Sequence, residues 1–152
     1  MNDGVIKSNM DTIKHIHVVR GNIYKFISEL DKRAREHDQS KLESPEQEIF
    51  GETHEELAKV EYGSDEYKKL LERVKPAIDH HYANNRHHPE FHKNGIDDMN
   101  LVDLLEMLAD WKAATSRNKN GNIRKSIEIN AERFNMSPQL VKIFENTVKE
   151  YF

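Results

Sequence analysis

The chain has no cysteine among its 152 residues. This excludes disulfides, thiolate metal sites and cysteine nucleophiles together, and leaves nitrogen and oxygen donors for any metal. It also lacks any apolar run near the ~20 residues that a membrane span needs, and its N-terminus shows no apolar signal segment. The expectation is a cytoplasmic protein with no membrane partner. No stretch alternates with the period of a strand, no segment repeats, and no linker divides the chain. A basic stripe is missing too: the formal net charge is −4 with both signs interspersed, which argues against a reader of duplex nucleic acid. A small anionic substrate remains compatible, because a local metal centre outweighs the global charge.

What is present reads as helix throughout. From about Asp11 to Arg35, Ile13, Ile16, Ile23, Ile27 and Leu30 recur at helical spacing. Ser44-Pro45-Glu46-Gln47 reads as an N-cap, a proline at the first helical position and a capping-box partner. Ser64-Asp65-Glu66 opens another helix, interrupted or restarted near Pro76 and running to about Tyr82. Asn100 caps a helix from Leu101 to about Ser116, Lys119-Asn120-Gly121-Asn122 is a turn, and a short helix follows through Phe134. Ser137-Pro138 opens the last helix, to about Glu150. Residues 1–9 are expected to fray, and His87 to Asp98 to form an irregular loop. The expected architecture is all-α, one helical domain over residues 1–152, long enough to bury a core.

The most unusual feature is nine histidines, five of them between His80 and His92. Taken alone, such a run is equally a solvated loop, an adventitious metal binder or a built site. The segment Leu101 to Trp111 is apolar on nearly every side, so its helix is expected in the middle of the domain. Yet Asp103, Glu106 and Asp110 share one face at i, i+3 and i+7. Buried carboxylates at these positions require a cation or donors to compensate them, whereas on an amphipathic helix they would simply face water. The apolar neighbours favour burial.

His37-Asp38 follows the long first helix. Two adjacent side chains reach one metal only where the backbone bends, as at a helix end, and Lys41, one turn on, can present its ammonium to a phosphate. On the first helix His15 borders the apolar face of Ile16, Val19, Ile23, Phe26, Ile27 and Leu30, while His17 points away from it. His15 is thus either an inward ligand or a satisfied histidine at the core edge, and His17 reads as a surface imidazole. Trp111, beside Asp110, reads as core packing.

The order of His15, His37-Asp38, the pairs His80-His81 and His87-His88, and Asp110 resembles the H…HD…H…H…D signature of the HD-domain phosphohydrolase superfamily. His15-Ile16-His17-Val18-Val19 resembles that family's first-helix histidine, and Ala109-Asp110-Trp111-Lys112-Ala113-Ala114 its late helix. More closely, from about Asp11 to Thr147 the chain resembles a phage and bacterial branch with the pattern HDxSKL…HHxxxNxHHPE…EMxxDWxAA. The resemblance implies a compact HD-like helical bundle in which His15, His37, Asp38 and Asp110 bind a divalent cation. With additional histidines such proteins can hold two metals. His80-His81 is also similar to the His-His-Glu element of cyclic-dinucleotide phosphodiesterases, but Tyr82 stands where the glutamate would be and no Gly-Tyr-Pro follows. The His15 to His37 spacing is shorter than in many HD enzymes.

The implied activity is metal-dependent hydrolysis of a phosphate ester, with a nucleotide as the small-molecule partner. One or two ions of Mn, Fe, Co, Ni, Mg or Zn would serve as cofactor. His80, His81, His87 and His88 would supply a second metal, a general acid or substrate contacts. Lys41 and Arg117 would neutralise phosphate oxygens, and Glu106 would orient a ligand or water. Glu90, Asn84 and Asn85 match the pattern without a derivable role. Two alternatives stand beside hydrolysis: a di-iron oxygenase, on the ligand count it shares with myo-inositol oxygenase, and a non-catalytic metal- or nucleotide-binding domain. Association into homo-oligomers is compatible with all three.

Overall fold

Asn2 sets where the first helix begins. Its side-chain oxygen accepts from the Gly4 N–H at 2.9 Å and its carbonyl from the Val5 N–H at 2.9 Å. The first turn is thereby capped, and α1 runs Asp3–Glu36, taking in residues 3–9 that local pattern alone leaves frayed. The computed structural model describes residues 2–57, 59–60, 64–117 and 120–152. Among these it is all-α, with helices α2 (Glu46–Leu57), α3 (Asp65–Asn84), α4 (Leu101–Ser116), α5 (Ile123–Arg133) and α6 (Pro138–Tyr151). None is long and apolar enough to cross a membrane.

Where the sequence suggests one domain, contacts divide the chain into two units, Met1–Glu36 and His37–Phe152. The first is α1, none of whose residues is buried. The second carries the core and everything described below.

Local chemistry fixes most helix ends in this second unit. Ser64 accepts from the Tyr67 N–H at 3.0 Å to open α3. Asn122 caps α5, and Ser137, followed by Pro138 at the first helical position, caps α6. At α4 the Asn100 side chain accepts from the Val102 and Asp103 N–H groups, and Asp103 accepts in return from the Asn100 N–H. In the turn expected at Lys119 to Asn122, Lys119 lies outside the described residues. Gly121 there presses against the end of α4, where a Cβ would come 1.7 Å from the Thr115 carbonyl oxygen.

Three expectations are corrected. α3 passes through Pro76 without a break. Glu72 and Pro76 both lie on its exposed side, so the carbonyl that proline leaves without its helical donor is within reach of solvent. Pro45 precedes α2 rather than starting it, and Glu46 at the helix start is fully buried. Nor is α4 enclosed on every side: Val102, Met107 and Leu108 are buried, but Leu101 and Leu105 are exposed.

The core joins α4, α5 and α6 through Met107, Leu108, Ile127, Met136, Phe144 and Val148. Trp111 packs against it, stacked on Phe134 at 6.5 Å and edge-on to Phe144 at 6.0 Å, as its sequence context suggests. On the other side of the unit, α2 packs on α3, whose buried stripe is Leu70, Val74, Ala77 and His81. These positions recur at four, three and four residues, so the stripe that buries the apolar side chains also turns His81 inward.

Candidate metal centre

His37 and Asp38 follow the last residue of α1, and the bend their chemistry requires is present. Asp38 sits at φ 58° and ψ 15°, in the left-handed region, a conformation that aspartate tolerates better than most residues. Lys41 then donates to Asp38 Oδ2 at 2.6 Å. α4 brings Glu106 and Asp110, α3 brings His81 at its end, and the segment after α3 brings His87 and His88. Besides the trio His37, His87 and Glu106, their donor atoms form two groups that share Asp38. In one, single atoms of Asp38, His81, His87 and His88 all lie within 4.8 Å of one another; in the other, those of His37, Asp38 and Asp110 do.

Asp38 is divided between these groups. Its Oδ1 lies 3.3 Å from His81 Nε2 and 3.6 Å from His87 Nε2, while its Oδ2 lies 3.5 Å from His37 Nε2. Asp110 Oδ1 is 3.8 Å from the same His37 nitrogen, and His81 Nε2 is 2.9 Å from His88 Nε2. Asp38 Oδ1 and His87 Nε2 are buried without a hydrogen-bond partner. Buried polar atoms left unpaired are costly, and a cation held between this oxygen and this nitrogen would pair both.

The far side of each ring is tied down by a carboxylate. Glu106 Oε1 lies 2.9 Å from His37 Nδ1 and 3.2 Å from His87 Nδ1. Glu46 reaches His80 Nδ1 with Oε1 at 2.7 Å and His81 Nδ1 with Oε2 at 2.9 Å. Asn85 closes α3 by donating to the His81 carbonyl and to Ser40 Oγ, both at 2.8 Å. It thereby ties the turn after His37-Asp38 to the end of α3.

Electrostatics follow from this crowding. Asp110 first, then Glu106, raise the pKa of His37 to about 10 against the opposing effect of burial. Burial works to raise the pKa of Asp38, but His81 and Lys41 outweigh it and hold the carboxyl far below its usual range. Asp110 is likewise lowered, with burial opposed by His37 and His87. His88 falls to about 3 because it is buried, with further lowering from His87 and His81. Within one cluster the anionic carboxylates and the neutral His88 imidazole are the forms that a cation would select.

Of the residues singled out from sequence, His37, Asp38, His81, His87, His88, Glu106 and Asp110 converge, with Lys41 on Asp38. His80 pairs with Glu46 and belongs to none of the donor groups among the described residues. His15 lies on α1, in the other unit, exposed and likewise outside those groups. Arg117 is the exposed C-cap residue of α4. The third carboxylate of the α4 stripe, Asp103, is fully buried, but Arg86 neutralises it through Nε at 3.2 Å and a second nitrogen at 3.0 Å. Sequence reading missed Glu46, because a glutamate at a helix start looks like a capping residue. Its burial depends on α3 packing over α2.

A family model described as "Family of unknown function (DUF5662)" matches residues 4–150. The chain belongs to that family. No curated protein and no solved structure matches it.

Proposed function

We propose that this chain is a metal-dependent phosphohydrolase acting on a phosphate ester, with a nucleotide as the substrate class, in the cytoplasm. His37, Asp38 and Asp110 would hold one divalent cation, and Asp38, His81, His87 and His88 a second. The observation that carries the reading is the pair of buried, unpartnered polar atoms, Asp38 Oδ1 and His87 Nε2, inside a four-residue donor group. The donor set of imidazole and carboxylate, without thiolate, fits Mn, Fe, Co, Ni or Zn, and the carboxylate-rich group also suits Mg. A divalent ion supplies Lewis acidity there, lowering the pKa of water and polarising a phosphoryl oxygen.

The chain's own residues then have definite tasks. Asp38 offers one oxygen to each donor group, so the two are coupled through a single carboxylate. Glu106 holds the rings of His37 and His87 by their Nδ1 atoms, which fixes ring orientation. His37, protonated in the metal-free chain because its pKa is raised to about 10, must lose the Nε2 proton before that nitrogen can donate to a cation. The partly exposed Lys41 ammonium neutralises a phosphate oxygen once it turns from Asp38. The likeness to HD-domain proteins noted from the motif order supports the same assignment.

The test combines metal content with turnover. Protein purified without chelator or histidine tag should carry divalent metal and, with added Mn or Co, release phosphate from some member of a nucleotide panel. Asp38→Asn should reduce both by about 100-fold or more while retaining the helical circular dichroism, since asparagine also accepts a left-handed backbone. Turnover surviving in Asp38→Asn would remove the reading. Two irons per chain with an oxygen-dependent spectrum would instead favour oxygenase chemistry, which the histidine-rich Asp38 group also suits.

A further inference from the structure

We infer that Glu46 is a positioning residue that sets the tautomer of His81, an inference that rests on the metal-centre reading above. Glu46 has no exposed surface, yet its two oxygens face two ring nitrogens, His80 Nδ1 at 2.7 Å and His81 Nδ1 at 2.9 Å. An ionised carboxylate only accepts hydrogen bonds, so each facing nitrogen must carry the proton. His81 Nδ1 has other polar neighbours, Asn85 Nδ2 at 3.0 Å and Ser40 Oγ at 3.3 Å. The two hydrogens of Asn85 Nδ2 are directed to Ser40 Oγ and the His81 carbonyl, both at 2.8 Å. Glu46 is therefore the acceptor for the His81 Nδ1 proton.

With a proton held on Nδ1, Nε2 is the nitrogen left to donate to a cation, and it is Nε2 that lies 3.3 Å from Asp38 Oδ1 and 2.9 Å from His88 Nε2. With a cation among Asp38, His87 and His88, the opposite tautomer would aim an N–H at that cation and a lone pair at the Glu46 carboxylate, leaving two acceptors face to face in a buried site. His80 belongs to the same device: it engages the second oxygen, so the Glu46 carboxylate stays aligned with both rings. One buried glutamate at the start of α2 thus selects which nitrogen α3 presents.

The test needs no ligand beyond Co²⁺. In metal-free wild-type protein labelled with ¹⁵N-histidine, near neutral pH, His81 should show a protonated Nδ1. An unprotonated Nδ1 overturns the inference. In Co²⁺ titrations, Glu46→Met, which matches the side-chain length but accepts nothing, should weaken binding by about 10–100-fold. Its helical content should be kept, and the His81 Nδ1 signal should shift toward the unprotonated form. Glu46→Gln retains one acceptor and should lie closer to wild type. Should Glu46→Met fail to fold, the wild-type tautomer decides alone. Wild-type affinity in a folded Glu46→Met protein overturns the inference but leaves the metal reading intact. If wild-type protein binds no Co²⁺, the metal reading fails, and the tautomer measurement still judges Glu46.

Discussion

Lys41 donates through Nζ to Asp38 Oδ2 at 2.6 Å. In the metal-free chain that ammonium is the nearest cation to the carboxylate shared by both donor groups, and it lies beside the oxygen turned toward His37. Ammonium and metal are therefore rivals for one oxygen.

Replacing Lys41 by Met should tighten divalent-cation binding, by about fivefold or less, because the lysine is partly exposed and such pairs contribute little. The same variant should lose kcat/KM toward phosphate esters, since no ammonium remains to meet the phosphate. Calorimetric titration paired with turnover separates the two effects. Weaker metal binding in Lys41→Met would contradict the rivalry.

His37 gives the metal-free protein a distinctive pH dependence. Its pKa is raised from 6.5 to about 10, with Asp110 the largest cause and Glu106 next. The folded state thus holds the proton more tightly than the unfolded one. Its stabilising share is complete below about pH 6.5 and disappears as pH climbs toward about 10. Asp38 and Asp110, whose pKa values are lowered, contribute oppositely: their share is present above the ordinary carboxylate range and is lost in acid. Chelator-treated wild-type protein should therefore exceed His37→Gln in Tm at pH 6.5, with the gap narrowing steadily up to pH 10. A constant gap across that range would show that His37 is not held by these carboxylates.

Asp103 is expected to matter for stability rather than chemistry. Asp103→Ala leaves the half-exposed Arg86 guanidinium and the Asn100 N–H without their buried acceptor and removes half of the α4 capping box. The cost should be roughly 2–4 kcal/mol. Urea denaturation at neutral pH measures it, and the folded fraction should still bind metal. A loss of metal binding without loss of stability would place Asp103 in the site.

The sequence made some of these residues legible and hid others for physical reasons. Asp38 and Asp110 stood out because each lies in a local context that reveals its direction, a bend after a helix and a stripe on an apolar helix. His81 could have been separated from His80 by extending the Leu70, Val74, Ala77 spacing one step further, but the paired histidines drew attention away from that period. Glu46 could not be found this way, because the start of α2 offers a complete local explanation for a glutamate.

By itself the sequence determined the helices of the second unit and most of their ends, since capping and helical periodicity act over three or four residues and need nothing from the rest of the chain. It also supplied the donor types, because the absence of cysteine leaves only imidazole and carboxylate. Only tertiary structure decided which donors meet and which nitrogen each ring presents. Glu106 and His37 are 69 residues apart, and Glu46 and His81 are 35 apart. No local preference spans such separations; they close only when packing excludes water and a buried carboxylate must find a donor.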